Sequence, residues 1–121
     1  MVNNTTSPAH VYPAELKRIV QGMSEFGKKQ PQTMAGFASL HKAACQPGAL
    51  DAKTKELIAL AIAVASRCDN CIAFHANDAL KSGASREEID EALGVAVLMG
   101  GGPALMYALH VRDAVDQFEA A

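Results

Sequence analysis

From Pro13 onward the apolar positions of the chain return every third or fourth residue, the spacing of one helix face. Pro13 opens the first such set, which holds Leu16, Ile19, Val20, Met23 and Phe26. Pro31 suits the first turn of a second helix, where its missing N–H leaves no bond unmade. Met34, Phe37, Leu40 and Ala44 share a face of that helix, and Pro47-Gly48 ends it. Asp51 is an acceptable N-cap for a third helix. After Glu56 this helix is apolar all round as far as Ala65, the pattern of a segment buried on most sides. A strand is the competing reading of that run, but its length and alanine content favour helix. The apolar run stops at Arg67-Cys68-Asp69, which predicts a break or bend. A fourth helix then extends to Ser82-Gly83, with glycine just past the helix end. Ser85-Arg-Glu-Glu88 is a capping box that starts a fifth helix with Ile89, Leu93, Ala96 and Val97 inward. Gly100-Gly101-Gly102 breaks it, and Pro103 opens a last helix to about Phe118. No long stretch alternates with a period of two. The pattern predicts an all-α fold of about six helices, a single domain over 13–121 behind an N-terminal tail at 1–12.

Composition changes this picture in one respect. Of the 121 residues 50% are hydrophobic and 20% charged, as in a globular domain, but aromatics are only 5% and tryptophan is absent. Small aliphatic side chains must then fill the core. They allow close helix packing but bury little area each, and a domain of this size buries a smaller share of its surface than a large one. Subunit interfaces are therefore expected to supplement the core. The net charge of −2, with lysines and arginines scattered, leaves no basic stripe for nucleic acid. The polar stretch Met-Val-Asn-Asn-Thr-Thr-Ser-Pro at the start predicts no secretory leader. Leu57–Ala65, the longest apolar run, is shorter than the roughly 20 residues that cross a bilayer. A cytoplasmic location with no nucleic-acid or membrane partner is the expectation. Three cysteines, Cys45, Cys68 and Cys71, argue against a structural disulfide framework in such a chain.

The candidate chemistry lies in Cys68-Asp-Asn-Cys71-Ile-Ala-Phe-His75. At the start of a helix, Cys68, Cys71 and His75 fall at i, i+3 and i+7 and share one face. The two thiols are then close enough to form a disulfide, with an imidazole one turn beyond Cys71. Thiols at a helix N-terminus beside a second thiol and a histidine have pKa values lowered to about 3.5–7.5 from about 8.5. The thiolate is the species that attacks a peroxide or a disulfide. Glu56 borders an otherwise apolar helix, and burying it without a partner would be costly. As a third member it would orient His75 and help carry a proton, as the third group of a triad does.

Each feature has a plainer reading beside it. The CxxC pair can be two core thiols, Glu56 a solvated first-turn residue favoured by the helix dipole, and His75 a structural imidazole. Cys45 reads as a small core residue, Asp69 and Asn70 as a cap and a solvent-facing spacer. His10, His41 and His110 have no local chemical context. A metal-binding module would use Cys68, Cys71, His75 and Glu56 as zinc ligands, but structural zinc sites usually draw ligand pairs from two separate segments. A non-catalytic oligomeric scaffold, or an enzyme acting on a small lactone or carbon acid, would leave the CxxC face unexplained.

Glu56, with Cys68 twelve residues on, then Cys71 and then His75, resembles the alkylhydroperoxidase D-like branch of the carboxymuconolactone decarboxylase-like superfamily. The flanks agree: Glu56-Leu-Ile-Ala-Leu-Ala before the motif and Ala76-Asn-Asp-Ala-Leu-Lys-Ser-Gly-Ala-Ser-Arg-Glu-Glu-Ile after it. The similarity spans roughly Ala49 to Phe118. It implies an all-helical fold, homo-oligomers (trimers or hexamers), no bound cofactor, and an antioxidant peroxidase or disulfide reductase acting on a small peroxide. On that pattern Cys71 attacks the peroxide and becomes a sulfenic acid. Cys68 condenses with it to a redox-active disulfide, and Glu56 and His75 relay the proton. A dithiol, in the family a lipoyl group on a carrier protein, reduces the disulfide. At one position the chain departs from the pattern. Where members carry a relay histidine just before the second cysteine, this chain has Asn70. Superfamily members that decarboxylate lactones lack the CxxC pair.

Overall fold

A computed structural model describes residues 10–121, which form five α-helices, with no strand among the described residues. A hairpin of α1 (Tyr12–Lys29) and α2 (Pro31–Cys45) lies against a body of α3 (Ala52–Ala65), α4 (Asp69–Lys81) and α5 (Arg86–Ala120). Residues 1–9 of the expected tail lie outside the described residues. Helix α1 begins at Tyr12, one residue before Pro13, and Tyr12 is buried. Its N–H donates to Gln117 Oε1 at 2.6 Å, and Gln117 Nε2 donates to the His10 carbonyl at 3.0 Å.

Local chemistry accounts for the boundaries around the candidate site. Asp51 caps α3, its carboxylate accepting the Thr54 N–H at 2.7 Å. The helix ends in a Schellman turn: Cys68 N–H bonds the Ala63 carbonyl at 3.0 Å and Arg67 N–H that of Val64 at 3.1 Å. Arg67 takes the left-handed position, with φ of 58°, that glycine usually fills. Helix α4 ends the same way, but there Gly83 holds that position, with φ of 91°. The next helix opens on the capping box. Ser85 Oγ accepts the Glu88 N–H at 3.1 Å, and Glu88 Oε1 accepts the Ser85 N–H at 2.9 Å. Lys53 on α3 donates to the same carboxylate at 2.8 Å, tying α3 to the start of α5.

The helix count is five, not about six, because the last two expected helices run into one another through Gly100-Gly101-Gly102. The backbone at Gly101 is nonetheless not helical (φ 72°, ψ −153°). A straight helix of 35 residues would separate its ends by about 50 Å. Instead Arg86 at the start pairs with Asp116 and Glu119 near the end, so the chain reverses at Gly101 into two antiparallel arms. By length and composition α5 would pass for a membrane span, but the reversal leaves it no straight run of that length. Gly100 has its own constraint: a Cβ there would meet the Ala104 Cβ at 2.6 Å.

The core is built from few large side chains. Leu60 and Val64 of α3, Ile72 of α4, and Ile89 and Val111 from the two arms of α5 are fully buried. Between them lie Ala73, Ala76, Ala79, Ala104, Ala108 and Ala114, which let helices approach closely. Helix α3, expected to be buried on most sides, buries only one face. Ile58 and Ile62 on its other side are exposed, as are Val95, Leu98, Met99, Leu105, Met106 and Leu109 of α5. The α2 helix buries no residue fully, and Phe37 and Leu40 are more than half exposed. Apolar surface of this extent is unusual on a monomer.

The reversal gives a direct stability test. A Cβ at Gly101 has open space around it, so Gly101→Ala carries only backbone strain; the expected loss is about 1–3 kcal/mol. Gly94→Ala, mid-helix and equally open, should instead raise stability by about 0.4–1 kcal/mol. Denaturant unfolding of the two variants checks the opposite signs.

Candidate active site

The Schellman turn at Arg67 delivers Cys68 directly to the N-cap of α4. Its sulfur caps the helix, accepting the Cys71 N–H at 3.2 Å. Cys68 and Cys71, with Cα atoms 5.2 Å apart, are joined as a disulfide. Both sulfurs therefore sit in the positive end of the α4 dipole, a place that favours thiolate once the bond is reduced. His75 follows one turn on, and its Nδ1 donates to Glu56 Oε1 at 2.9 Å. Antiparallel packing of α3 on α4 makes that pair, since nothing local brings residues nineteen apart together. Glu56 is only 6% exposed, so the solvated first-turn alternative does not hold. Glu56, Cys68, Cys71 and His75 are thus brought into one place.

Two further side chains crowd this group. Asp78, one turn beyond His75, puts a carboxylate oxygen within 4.8 Å of the Glu56 and His75 donor atoms. Burial and then the charge of Glu56 push its pKa above the usual carboxylate value. Glu56, His75 and Asp78 have the donors to share a cation. Cys68 and Cys71, bonded to each other, offer no thiolate in this state, so the zinc set read from the sequence is not assembled. Cys45, at the end of α2, faces Glu56. Burial first, and that carboxylate second, raise the Cys45 thiol pKa. A thiol held protonated in this way is a poor nucleophile, in contrast to the pair at the helix N-terminus.

Asp69 is neither the cap nor a spacer. Cys68 caps the helix, and Asp69 turns back to the body. The Tyr12 hydroxyl donates to its Oδ1 at 3.0 Å, and His110 Nδ1 donates to the same oxygen at 2.8 Å. His10 lies 3.7 Å from its other oxygen. Burial and the Asp69 carboxylate push the Tyr12 phenol pKa upward, keeping it a donor. Three side chains thereby hold Asp69, between the two cysteines, which fixes the start of α4.

A cavity of about 310 Å³ opens between α1, α2 and α4. Ile19, Met23, Met34, Phe37, Ala38 and Phe74 make its apolar walls, and His41, Asn70, Cys71 and His75 its polar points. A second hollow, beside Ala59, Ile62 and Ser66, also reaches Cys71 and His75. Asn70, expected to face solvent, is exposed but borders the first cavity. Sequence reading gave His41, Cys45 and Asp78 no part in the site. His41 and Cys45 lie at i and i+4 on α2, and His75 and Asp78 at i and i+3 on α4. Those spacings mark shared faces, but only the packing shows that both faces meet Glu56.

Comparison with known proteins identifies the family. A model of the carboxymuconolactone decarboxylase family matches residues 31–114. An uncharacterised protein of Cupriavidus necator is 45% identical over 93 residues, covering 77% of this chain and 82% of that protein. One encoded in the cox locus of Paracoccus denitrificans is 39% identical over 85 residues, covering 70% and 77% respectively. Among solved structures, a carboxymuconolactone decarboxylase family protein from Legionella pneumophila, in its apo form, superposes with a TM-score of 0.86 at 50% identity, covering 88% of this chain and 96% of its own. A family member from Thermotoga maritima, described as a candidate for a part in antioxidative response, gives a TM-score of 0.75 at 32% identity, covering 85% and 91%. This chain belongs to the carboxymuconolactone decarboxylase family.

Proposed function

We propose that the protein is a thiol-dependent peroxidase and disulfide reductase, with Cys68 and Cys71 as its redox couple. The observation that carries this reading is the Cys68–Cys71 disulfide at the N-terminus of α4, beside the buried Glu56–His75 pair. In the reduced protein His75 accepts the Cys71 proton, and Glu56 stabilises the resulting imidazolium. The Cys71 thiolate attacks the terminal oxygen of a small peroxide. An S–O bond forms, the O–O bond breaks, and the departing oxygen takes a proton. Cys71 is then a sulfenic acid. The Cys68 sulfur attacks it, hydroxide leaves as water, and the disulfide is restored. A dithiol, such as a lipoyl group on a carrier protein, returns the pair to thiols by exchange. The cytoplasm, where such reductants are kept, is the fitting compartment.

The antioxidative description of the Thermotoga relative supports the same reading. So does the division of the thiols, two at a helix N-terminus and one, Cys45, held protonated by burial and Glu56. We further propose a homo-oligomer, a trimer or hexamer, that covers the exposed apolar residues of α3 and α5. Asp78 sits at the edge of the relay and carries a cost. Its folded pKa is raised, so its stabilising contribution is fully present below about pH 3.9, the unfolded value. That contribution is lost as pH rises through the folded value, leaving Asp78 net destabilising at neutral pH.

Peroxide consumption driven by dithiothreitol or dihydrolipoamide should be abolished in Cys71→Ser; full turnover in that variant contradicts the mechanism. Cys68→Ser should still form a sulfenic acid, detected by dimedone adduct and mass spectrometry, but fail to close the disulfide. Asp78→Asn should raise Tm at neutral pH, with the gain vanishing in acid where Asp78 is protonated. A neutral-pH Tm at or below that of the wild type would contradict the assignment of buried charge.

A further inference from the structure

The network around Asp69 has no part in the peroxidase steps, yet it closes on a residue between the two cysteines. The Tyr12 hydroxyl and His110 Nδ1 both donate to Asp69 Oδ1, at 3.0 and 2.8 Å, and His10 Nε2 lies 3.7 Å from Oδ2. Tyr12 is buried, and burial first and Asp69 second hold its phenol well above the usual pKa, so at neutral pH it donates. His110 is packed between two rings, with centres 4.8 Å away at Tyr107 and 5.7 Å away at His10. The Asp69 side chain itself is only 23% exposed, so water screens its charge incompletely.

In the reduced pair one sulfur is the thiolate that the helix N-terminus favours. Reduction therefore puts a negative charge within one turn of Asp69, where the disulfide carries none. Repulsion between the two charges raises the energy of the reduced state and leaves the oxidised state untouched. The helix dipole attracts Asp69 equally in both states and cancels from the difference. Arg67, on the other side of Cys68, is exposed, and solvent screens its charge. The donors bound to Asp69 work against the repulsion, because their positive ends offset part of the carboxylate charge.

We propose that Asp69, a non-catalytic residue, sets the reduction potential of the Cys68–Cys71 couple, and that Tyr12 and His110 set how much of its charge the sulfurs meet. The inference rests on the thiol-redox reading of the site and adds a control on that couple. In the exchange it governs, one sulfur of a dithiol reductant attacks the disulfide and the Cys68–Cys71 bond breaks. The reductant then closes to its own disulfide, and two electrons have passed to the protein pair. Of the two protons the dithiol gives up, one stays on the neutral protein thiol and the other goes to solvent, leaving one thiolate. The Asp69 charge pushes this equilibrium back towards the protein disulfide and makes the reduced pair the stronger reductant. Tyr12 opens α1 and His110 lies on the second arm of α5, so both elements act on the couple through one carboxylate.

The test is the equilibrium of the Cys68–Cys71 pair with dithiothreitol, across graded ratios of its reduced and oxidised forms at neutral pH, read by alkylation and peptide mass spectrometry. Asp69→Asn keeps an acceptor for Tyr12 and His110 and loses the charge. Its pair should be reduced more readily, with the exchange constant shifted about tenfold, an upward change of about 30 mV for a two-electron couple. Tyr12→Phe and His110→Phe each lose one donor and keep an aromatic ring. Both should shift the constant the other way, by about threefold. Placed on top of Asp69→Asn, His110→Phe should do little, since no charge remains to offset. Shifts in one direction for all three variants, which a loosened helix start would give, overturn the proposal, as does an unchanged constant in Asp69→Asn. Should Asp69→Asn fail to fold, the donor variants decide: an unchanged or raised constant in both overturns it. A wild-type disulfide that dithiothreitol reduces at no ratio sinks the thiol-redox reading as well, whereas an unshifted Asp69→Asn sinks this inference alone.

Discussion

A carboxylate buried in an apolar helix needs a partner, and in this protein the partner is an imidazole on the next helix. Glu56 and His75 meet at 2.9 Å across the α3–α4 interface, within a core of aliphatic side chains. Burial of an ionised carboxylate without that contact would cost several kcal/mol. The bond therefore helps set the register of α3 on α4. Given that register, the Arg67 turn and the N-cap at Cys68 follow, and the two cysteines stand at the helix end beside His75. Asp78 and Cys45 then face an anion already in place, and the pKa of each is raised by it after burial.

The remaining architecture supports that interface from outside. Alanines at Ala73, Ala76 and Ala79 bring α4 close to its neighbours. The reversal at Gly101 doubles α5 back, so that one helix covers the body with two arms. The network around Asp69 anchors the other end of the motif, joining the start of α1 and the second arm of α5 to the residue between the cysteines. An all-helical body of small residues leaves a wide apolar surface, consistent with a subunit that completes its burial in an assembly. The hairpin of α1 and α2 does different work. It buries little of itself and instead closes a cavity over Cys71 and His75.

Much of this was legible in the sequence because local rules acted without competition. The Asp51 cap, the Ser85–Glu88 box and the Gly83 stop each have a residue whose chemistry demands that position, and each forms as read. The end of α3 was visible only as the loss of an apolar run, since an arginine occupies the place where glycine would announce a turn. Gly100-Gly101-Gly102 announced a break, and the break is there as a reversal, but the helical hydrogen bonding on either side runs up to Gly101. The site was half legible. Glu56, Cys68, Cys71 and His75 carry a spacing that points to one face and one partner. His41, Asp69 and Asp78 do not, because their relevance depends on which helices pack together. A chain with no period-two segment and many alanines gives little information about that choice. Ile58 and Ile62 show the same limit, since an all-round apolar helix does not tell a core neighbour from a subunit neighbour.

The central claim is that His75, oriented by Glu56, makes the reduced Cys71 a nucleophile. Its most direct test is the pH dependence of Cys71 alkylation in the reduced protein, resolved by peptide mass spectrometry, for wild type and His75→Ala. The account predicts a Cys71 titration below that of an ordinary thiol in wild type and displaced upward in the variant. Identical titration curves would remove the Glu56–His75 pair from the chemistry and leave it a purely structural contact.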